Sequence, residues 1–150
     1  MNGLRISFTA FLLASLAGAA VGDKPYPVFT PDNFANNMRL LGPNFGAVNA
    51  ALAKGDFENA KAHLVRSREL LAITVTFWRD RKKDDALKML RDTLTRMDEL
   101  DNILSSESID QAAALATAKQ VGGGCQSCHS LYREQIPGTK GYRVKDGSRQ

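Results

Sequence analysis

Long segments with an apolar residue every three or four positions alternate with short polar or glycine-containing breaks along this chain. In the first segment Phe34, Met38, Leu41, Phe45, Val48 and Leu52 follow one another at steps of four, three, four, three and four. That spacing marks one face of a helix. Thr30-Pro31 predicts its start, a capping hydroxyl followed by a proline in the first turn, and the helix runs to about Ala53. Pro43 lies inside it and predicts a kink, because its ring crowds the carbonyl of Arg39. Gly55-Asp56 predicts a turn, with Asp56 capping a second helix that reaches Phe77 or Trp78. Its inward stripe is Phe57, Ala60, Leu64, Leu71, Val75 and Trp78. Arg79 to Asp85 is a charge run and predicts a solvated connection. Asp84 or Asp85 then caps a third helix carrying Leu87, Leu90, Leu94, Met97, Leu100 and Leu104. Ser108-Ile109-Asp110-Gln111 has the form of a capping box. It opens a fourth helix through the alanine-rich stretch Ala112 to Ala118, past Cys125 and on to Glu134. Residues 137–150, from Pro137 onward, predict a polar, mobile tail.

No segment is rich in strand signals, so the predicted fold class is all-α. Four helices with short connections predict an antiparallel up-down-up-down four-helix bundle. The turn at Gly55-Asp56-Phe57 has the look of a helical-repeat joint, but it occurs once and predicts no repeat array.

The first residues follow a different logic. Met1 to Arg5 is a short, singly charged n-region, Ile6 to Leu16 is apolar, and small residues follow at Ala17, Gly18, Ala19 and Ala20. Residues 1–22 therefore predict a secretory signal peptide, cut before Asp23, with Ala17-Gly18-Ala19 as the alternative cleavage signal. The apolar run is too short for a membrane span; the competing reading is an uncleaved anchor. The expected product is an exported protein without stable membrane insertion, periplasmic in a bacterium. Asp23 to Phe29, with Pro25 and Pro27, predicts an extended strap. The folded domain is then residues 23–136.

Composition narrows the classes further. Of the 150 residues 43% are hydrophobic and 24% charged, ordinary values for a single globular domain. They exclude a collagen-like, disordered or multi-pass membrane chain. A net charge of +4, from 20 basic and 16 acidic residues, is too small and scattered to predict nucleic-acid binding. There are two cysteines, Cys125 and Cys128, which excludes a disulfide scaffold.

Those two cysteines carry the chemistry. Cys125-Gln126-Ser127-Cys128-His129 is the attachment signature of a c-type haem. On a helix Cys125, Cys128 and His129 occupy positions i, i+3 and i+4 and face one way. Two thiols can then bond the two porphyrin vinyl groups, and the imidazole can stand beneath the iron as its proximal ligand. Such attachment occurs outside the cytoplasm, in agreement with the signal peptide. A thioredoxin-like redox pair would sit beside a βαβ pattern, which is missing. A structural zinc site wants four ligands, and the other histidine, His63, flanks its stripe as a surface residue. Gly122, Gly123 and Gly124 precede Cys125, and each costs a helix interior about 1 kcal/mol relative to alanine. Either the porphyrin approaches the backbone there, or the glycines separate two shorter helices.

The sequence resembles the class II c-type cytochromes, comprising cytochrome c′ and the low-spin cytochrome c-556 group. The resemblance rests on Val121-Gly122-Gly123-Gly124-Cys125 through His129, with Tyr132-Arg133 after it, near the end of a four-helix chain. It also rests on Met38-Arg39-Leu40-Leu41-Gly42 and Asn44-Phe45-Gly46-Ala47-Val48 in the first helix. The connection between the second and third helices departs from many cytochromes c′, being shorter and carrying Phe77-Trp78 and a basic run. The resemblance implies one covalently bound haem c (iron), held by Cys125 and Cys128, with His129 as proximal ligand. It also addresses the sixth ligand: the position over the iron is methionine in the c-556 group and a non-coordinating apolar residue in high-spin members. Counting back seven residues from Phe45 puts Met38 there. Its thioether suits haem iron and raises its potential, whereas as packing it would only fill the core. Without the resemblance Met97, also on an inward stripe, competes, while Met89 falls on the opposite face from Leu87 and Leu94. The resemblance also implies a basic residue at Arg133, four residues after His129, expected near the haem edge or a propionate, or else at a solvated helix end. The implied function is one-electron transport between redox partner proteins, without enzymatic bond chemistry. The alternative is a five-coordinate protein binding small gases such as nitric oxide or carbon monoxide. A homodimer through the first two helices is also implied.

Overall fold

The computed structural model describes residues 30–148. The signal peptide or anchor at residues 1–22 and the strap at Pro25 and Pro27 lie outside the described residues. The chain is mostly helical, with one small two-stranded sheet among the described residues.

Helix α1 spans Pro31–Ala53, and its first turn is closed by Thr30, whose hydroxyl accepts from the Asn33 amide at 3.2 Å. Pro43 does not end it. Leu41 before the proline and Val48 after it are both buried, so packing on either side holds the helix together across the missing hydrogen bond. Gly55 turns the chain with a φ of +71°, a conformation open to glycine at little cost. Helix α2 spans Phe57–Ala72, capped by Asp56, which accepts from the Asn59 amide at 3.3 Å.

The second helix is shorter than its stripe predicts. It stops at Ala72, and Phe77 and Trp78 belong to a separate short helix, α3, Val75–Asp80. At the break the buried Thr74 hydroxyl donates to the Leu71 carbonyl at 2.7 Å. A side chain that competes for backbone carbonyls favours such an interruption. Helix α4 spans Asp84–Leu104. Its N-cap is Lys83 rather than an aspartate; Asp84 and Asp85 lie within the first turn, where their charge suits the positive helix end. Helix α5 spans Gln111–Tyr132, and Asp110 rather than Ser108 caps it, accepting from the Ala113 amide at 3.0 Å. Gln111 does not reach back as a capping box requires. Its amide donates to the Leu52 carbonyl at 2.7 Å and ties the start of α5 to the end of α1.

The C-terminal segment differs most from expectation. Helix α5 stops before Glu134, and β1, Arg133–Gln135, pairs antiparallel with β2, Tyr142–Val144. Gly138, at a φ of +75°, lies in the intervening turn. Val144 is buried, and the Lys145 amide donates to the Tyr132 carbonyl at 2.9 Å, so the hairpin is anchored to the end of α5. The expected polar tail is thus packed structure through the 3-10 turn Asp146–Ser148. Strands this short leave no readable alternation in a sequence.

Helix α1 packs on α2, α2 on α4, α4 on α5, and α5 on α1. Val48, Leu52, Leu64, Met97, Leu100 and Val121 meet in the core with essentially no exposure. Ala60, Ala86, Ala114 and Ala118 are buried as well, small side chains that let the helices approach. The buried Asn37 amide donates to the Leu70 carbonyl and joins α1 to α2.

Candidate functional site

Near the C-terminal end of α5 lies a cavity of about 410 Å³, within the roughly 300–1,000 Å³ range of ligand and cofactor sites. Cys125, Cys128 and His129 line it from α5, and Met38 lines it from α1. All four are half-buried. The positions i, i+3 and i+4 of a continuous helix do put the two thiols and the imidazole on one wall. The remaining walls are largely apolar, with Phe34, Leu41 and Phe45 from α1, Trp78 from α3 and Leu90 from α4.

The two cysteines are free thiols in this structure. Burial pushes the Cys125 thiol up, and burial followed by the neighbouring Cys125 and Asp85 pushes Cys128 up to about 11. Both are therefore neutral at pH 7 and poor attacking thiolates, unlike a redox-active pair. Burial, and then the positive charge of Arg133, lowers His129 below its usual value. A neutral imidazole keeps a lone pair available to a metal. Among the described residues no group of three or more His, Cys, Asp or Glu is arranged to hold a metal ion directly. His63 is half-buried on α2 and does not line the cavity.

Two thiols beside an available imidazole, a thioether on the facing helix and apolar walls between them make a donor set that fits a c-type haem. Met97, the competing methionine, is fully buried in the core and does not line the cavity. Met89 does line it, contrary to its expected outward face. Met89 lies one turn before Thr93, which is buried against α5, a relation that only the packing of α4 on α5 reveals.

Helix α5 runs unbroken through Gly122, Gly123 and Gly124, so the glycines do not separate two helices. Gly124 has a packing reason that the sequence did not reveal. A Cβ there would collide with the side chain of Thr93, whose hydroxyl is committed to the Met89 carbonyl at 2.8 Å. Gly122 borders the cavity with open space before it.

An aromatic wall closes one side. Trp78 packs against Phe34, Phe77 and Tyr132, with ring centroids 5.1, 4.9 and 4.7 Å away. Tyr132 donates its hydroxyl to Asp85 at 2.6 Å, joining the end of α5 to the start of α4. That hydrogen bond holds the Asp85 carboxyl below its ordinary value. Folded Asp85 thus resists protonation more than unfolded Asp85 does. Its contribution to stability is present above the unfolded pKa of 3.8 and is lost as pH falls through the lower folded value. Tyr132→Phe is expected to move the acid-unfolding midpoint to higher pH, measured by helical circular dichroism, and to leave the two proteins alike once Asp85 is protonated. An unchanged midpoint would show that the contact contributes nothing.

Arg133 does not continue the helix from His129. It opens β1, and its guanidinium stacks over the Tyr142 ring at 4.4 Å. It lines the cavity together with Lys140 to Val144 of the hairpin, residues that the sequence placed in a polar tail. No described helix is long and apolar enough to cross a membrane. Compared with known proteins, the chain matches no family model, no curated protein and no solved structure.

Proposed function

We propose that this chain is an exported monohaem c-type cytochrome that carries single electrons between redox partner proteins and is not an enzyme. The observation that supports this most is the convergence of Cys125, Cys128, His129 and Met38 on one largely apolar cavity. The architecture proposed with it is the antiparallel up-down-up-down four-helix bundle of the class II cytochromes, made by α1, α2, α4 and α5. In its favour, Lys54 to Asp56 joins α1 to α2 and Ser105 to Asp110 joins α4 to α5, short links between packed neighbours.

A haem held in this cavity supplies a reversible one-electron couple at its iron. Cys125 and Cys128, on one wall of α5, would hold the haem covalently. His129, neutral at pH 7, presents its imidazole from the same helix wall. Met38 offers a soft thioether from α1, and Phe34, Leu41 and Trp78 exclude water, which keeps the local dielectric low. Fixed ligands on packed helices move little between oxidation states, which suits electron transfer. The resemblance extends to a homodimer through α1 and α2, where Leu40 and Val65 are exposed. Export to the periplasm rests on residues 1–22.

Intact mass after expression in a periplasm with c-type maturation machinery tests the reading. The expected mass is that of a chain beginning near Asp23 plus one haem, and acid–organic extraction is expected to leave the haem on the protein. A bare polypeptide mass would refute the covalent cofactor, and an intact Met1 in the membrane fraction would refute export by cleavage.

A further inference from the structure

Asn37 is a buried polar side chain, 6% exposed, immediately before Met38. Successive residues of an α-helix point about 100° apart, so fixing the side chain at one position sets the direction of the next. Phe34, Leu41 and Phe45 stand at helical spacing from Met38 and border the same cavity. Asn37 lies off that face, against α2, where its amide donates to the Leu70 carbonyl. The break at the end of α2 supplies that acceptor. In a continuing α-helix the Thr74 amide would bond the Leu70 carbonyl. Here it bonds the Leu71 carbonyl at 3.0 Å, and the Thr74 hydroxyl reaches the same oxygen at 2.7 Å. The Leu70 carbonyl turns to Asn37 instead, which satisfies a helix-end acceptor inside the α1–α2 contact. Leu71 and Thr74 border the cavity themselves. On the other side of Met38 the helix is tied less firmly, because Pro43 has no amide for the Arg39 carbonyl.

We propose that Asn37 is the positioning residue for Met38: its bond to the Leu70 carbonyl latches the first turns of α1 to the end of α2 and keeps the thioether in place over the iron. The inference rests on the haem reading above, with Met38 as the sixth ligand. Asn37 acts only through its neighbour and does not border the cavity. Without the donor, the Leu70 carbonyl stays buried and unpaired while α1 is docked, and that cost falls when the start of α1 draws away towards water. The latch therefore favours the Met38-bound arrangement over a detached one. A bias the size of one buried hydrogen bond changes such a population roughly five- to thirtyfold.

Carbon monoxide binding to the ferrous holoprotein tests the latch, alongside the far-red band of the oxidised form and the urea midpoint. Iron ligated by Met38 takes carbon monoxide only while the thioether is off, so the association rate reads the detached fraction. The proteins compared are wild type, Asn37→Leu, Asn37→Ala, Asn37→Gln, and Leu64→Ala, a buried control on α2 that does not border the cavity. Asn37→Leu and Asn37→Ala lack the donor and are expected to raise the rate roughly five- to thirtyfold and to weaken the band. Asn37→Gln keeps a donor and is expected to lie closer to the wild type. Leu64→Ala is expected to lower the urea midpoint at least as far, yet to leave rate and band unchanged. A rate that stays at the wild-type value in both donor-less variants overturns the proposal. So does a rate that follows the urea midpoint across the whole set, Leu64→Ala included, which makes Asn37 a stability residue only. Should Asn37→Leu not fold, Asn37→Ala decides by the same two readings. A wild type with covalent haem that is already high-spin overturns the Met38 ligation that the latch serves. Protein without covalent haem in every variant, the wild type included, overturns instead the haem reading beneath it.

Discussion

In the proposed haem-bearing protein, Met38→Ala is expected to abolish the weak far-red charge-transfer band of the oxidised form, lower the reduction potential and open the iron to carbon monoxide. The band belongs to a methionine–ferric bond, so its loss should be complete rather than partial. The potential falls because a thioether favours ferrous iron more than the site left without it does. Met38 is half-buried on α1 and lines the cavity that His129 lines from α5. The measurement is an absorption spectrum of each oxidation state, with and without carbon monoxide, alongside a potentiometric titration. Met89→Ala is the paired control, because Met89 lines the same cavity from α4. Loss of the band in Met89→Ala with retention in Met38→Ala would move the ligand to α4. A wild type that is already high-spin and binds carbon monoxide readily would make Met38 a packing residue and favour the gas-binding alternative.

Trp78→Ala is expected to cost the folded protein about 3–5 kcal/mol, the range for removing a buried aromatic side chain. Trp78 is 2% exposed and touches Phe34, Phe77 and Tyr132, so its removal leaves a void bounded by α1, α3 and α5. Because a domain is typically stable by only about 5–15 kcal/mol, that loss should be visible as a large fall in urea midpoint. Trp78 also lines the cavity, so the same substitution should make the site wetter. Trp78→Phe keeps a ring and is expected to lose less. A Trp78→Ala midpoint within experimental scatter of the wild type would show that the aromatic wall is not integral to the fold.

Helix periodicity was legible wherever a stripe was long and unmixed. The steps from Phe34 to Leu52 and from Leu87 to Leu104 correspond to α1 and α4, whose inward residues are buried or packed on the core. Capping chemistry located Thr30 and Asp56 correctly because a cap is a contact within one turn. The same locality made Cys125, Cys128 and His129 readable: three residues within one and a half turns share a face whatever surrounds the helix. Periodicity failed at Thr74, where a side-chain hydroxyl interrupts α2 although Val75 and Trp78 continue the stripe. It failed again at Met89, whose place off the leucine stripe predicted an outward face although it lines a cavity shared with α5.

From its residues alone this chain determined where α1 and α2 start, which faces the long stripes bury and which side chains stand together on α5. These are properties of neighbours within a few positions, set by backbone geometry and by the exclusion of apolar surface from water. The tertiary structure decided the rest. It placed Met38 and Met89 on the same cavity as His129, set Thr93 against Gly124, and folded the expected tail into a hairpin whose Arg133 and Lys140 reach the cavity mouth. The helix-to-helix relations among these join residues from about 30 to 90 positions apart, and only the packing of whole helices against one another brings such distant positions into contact.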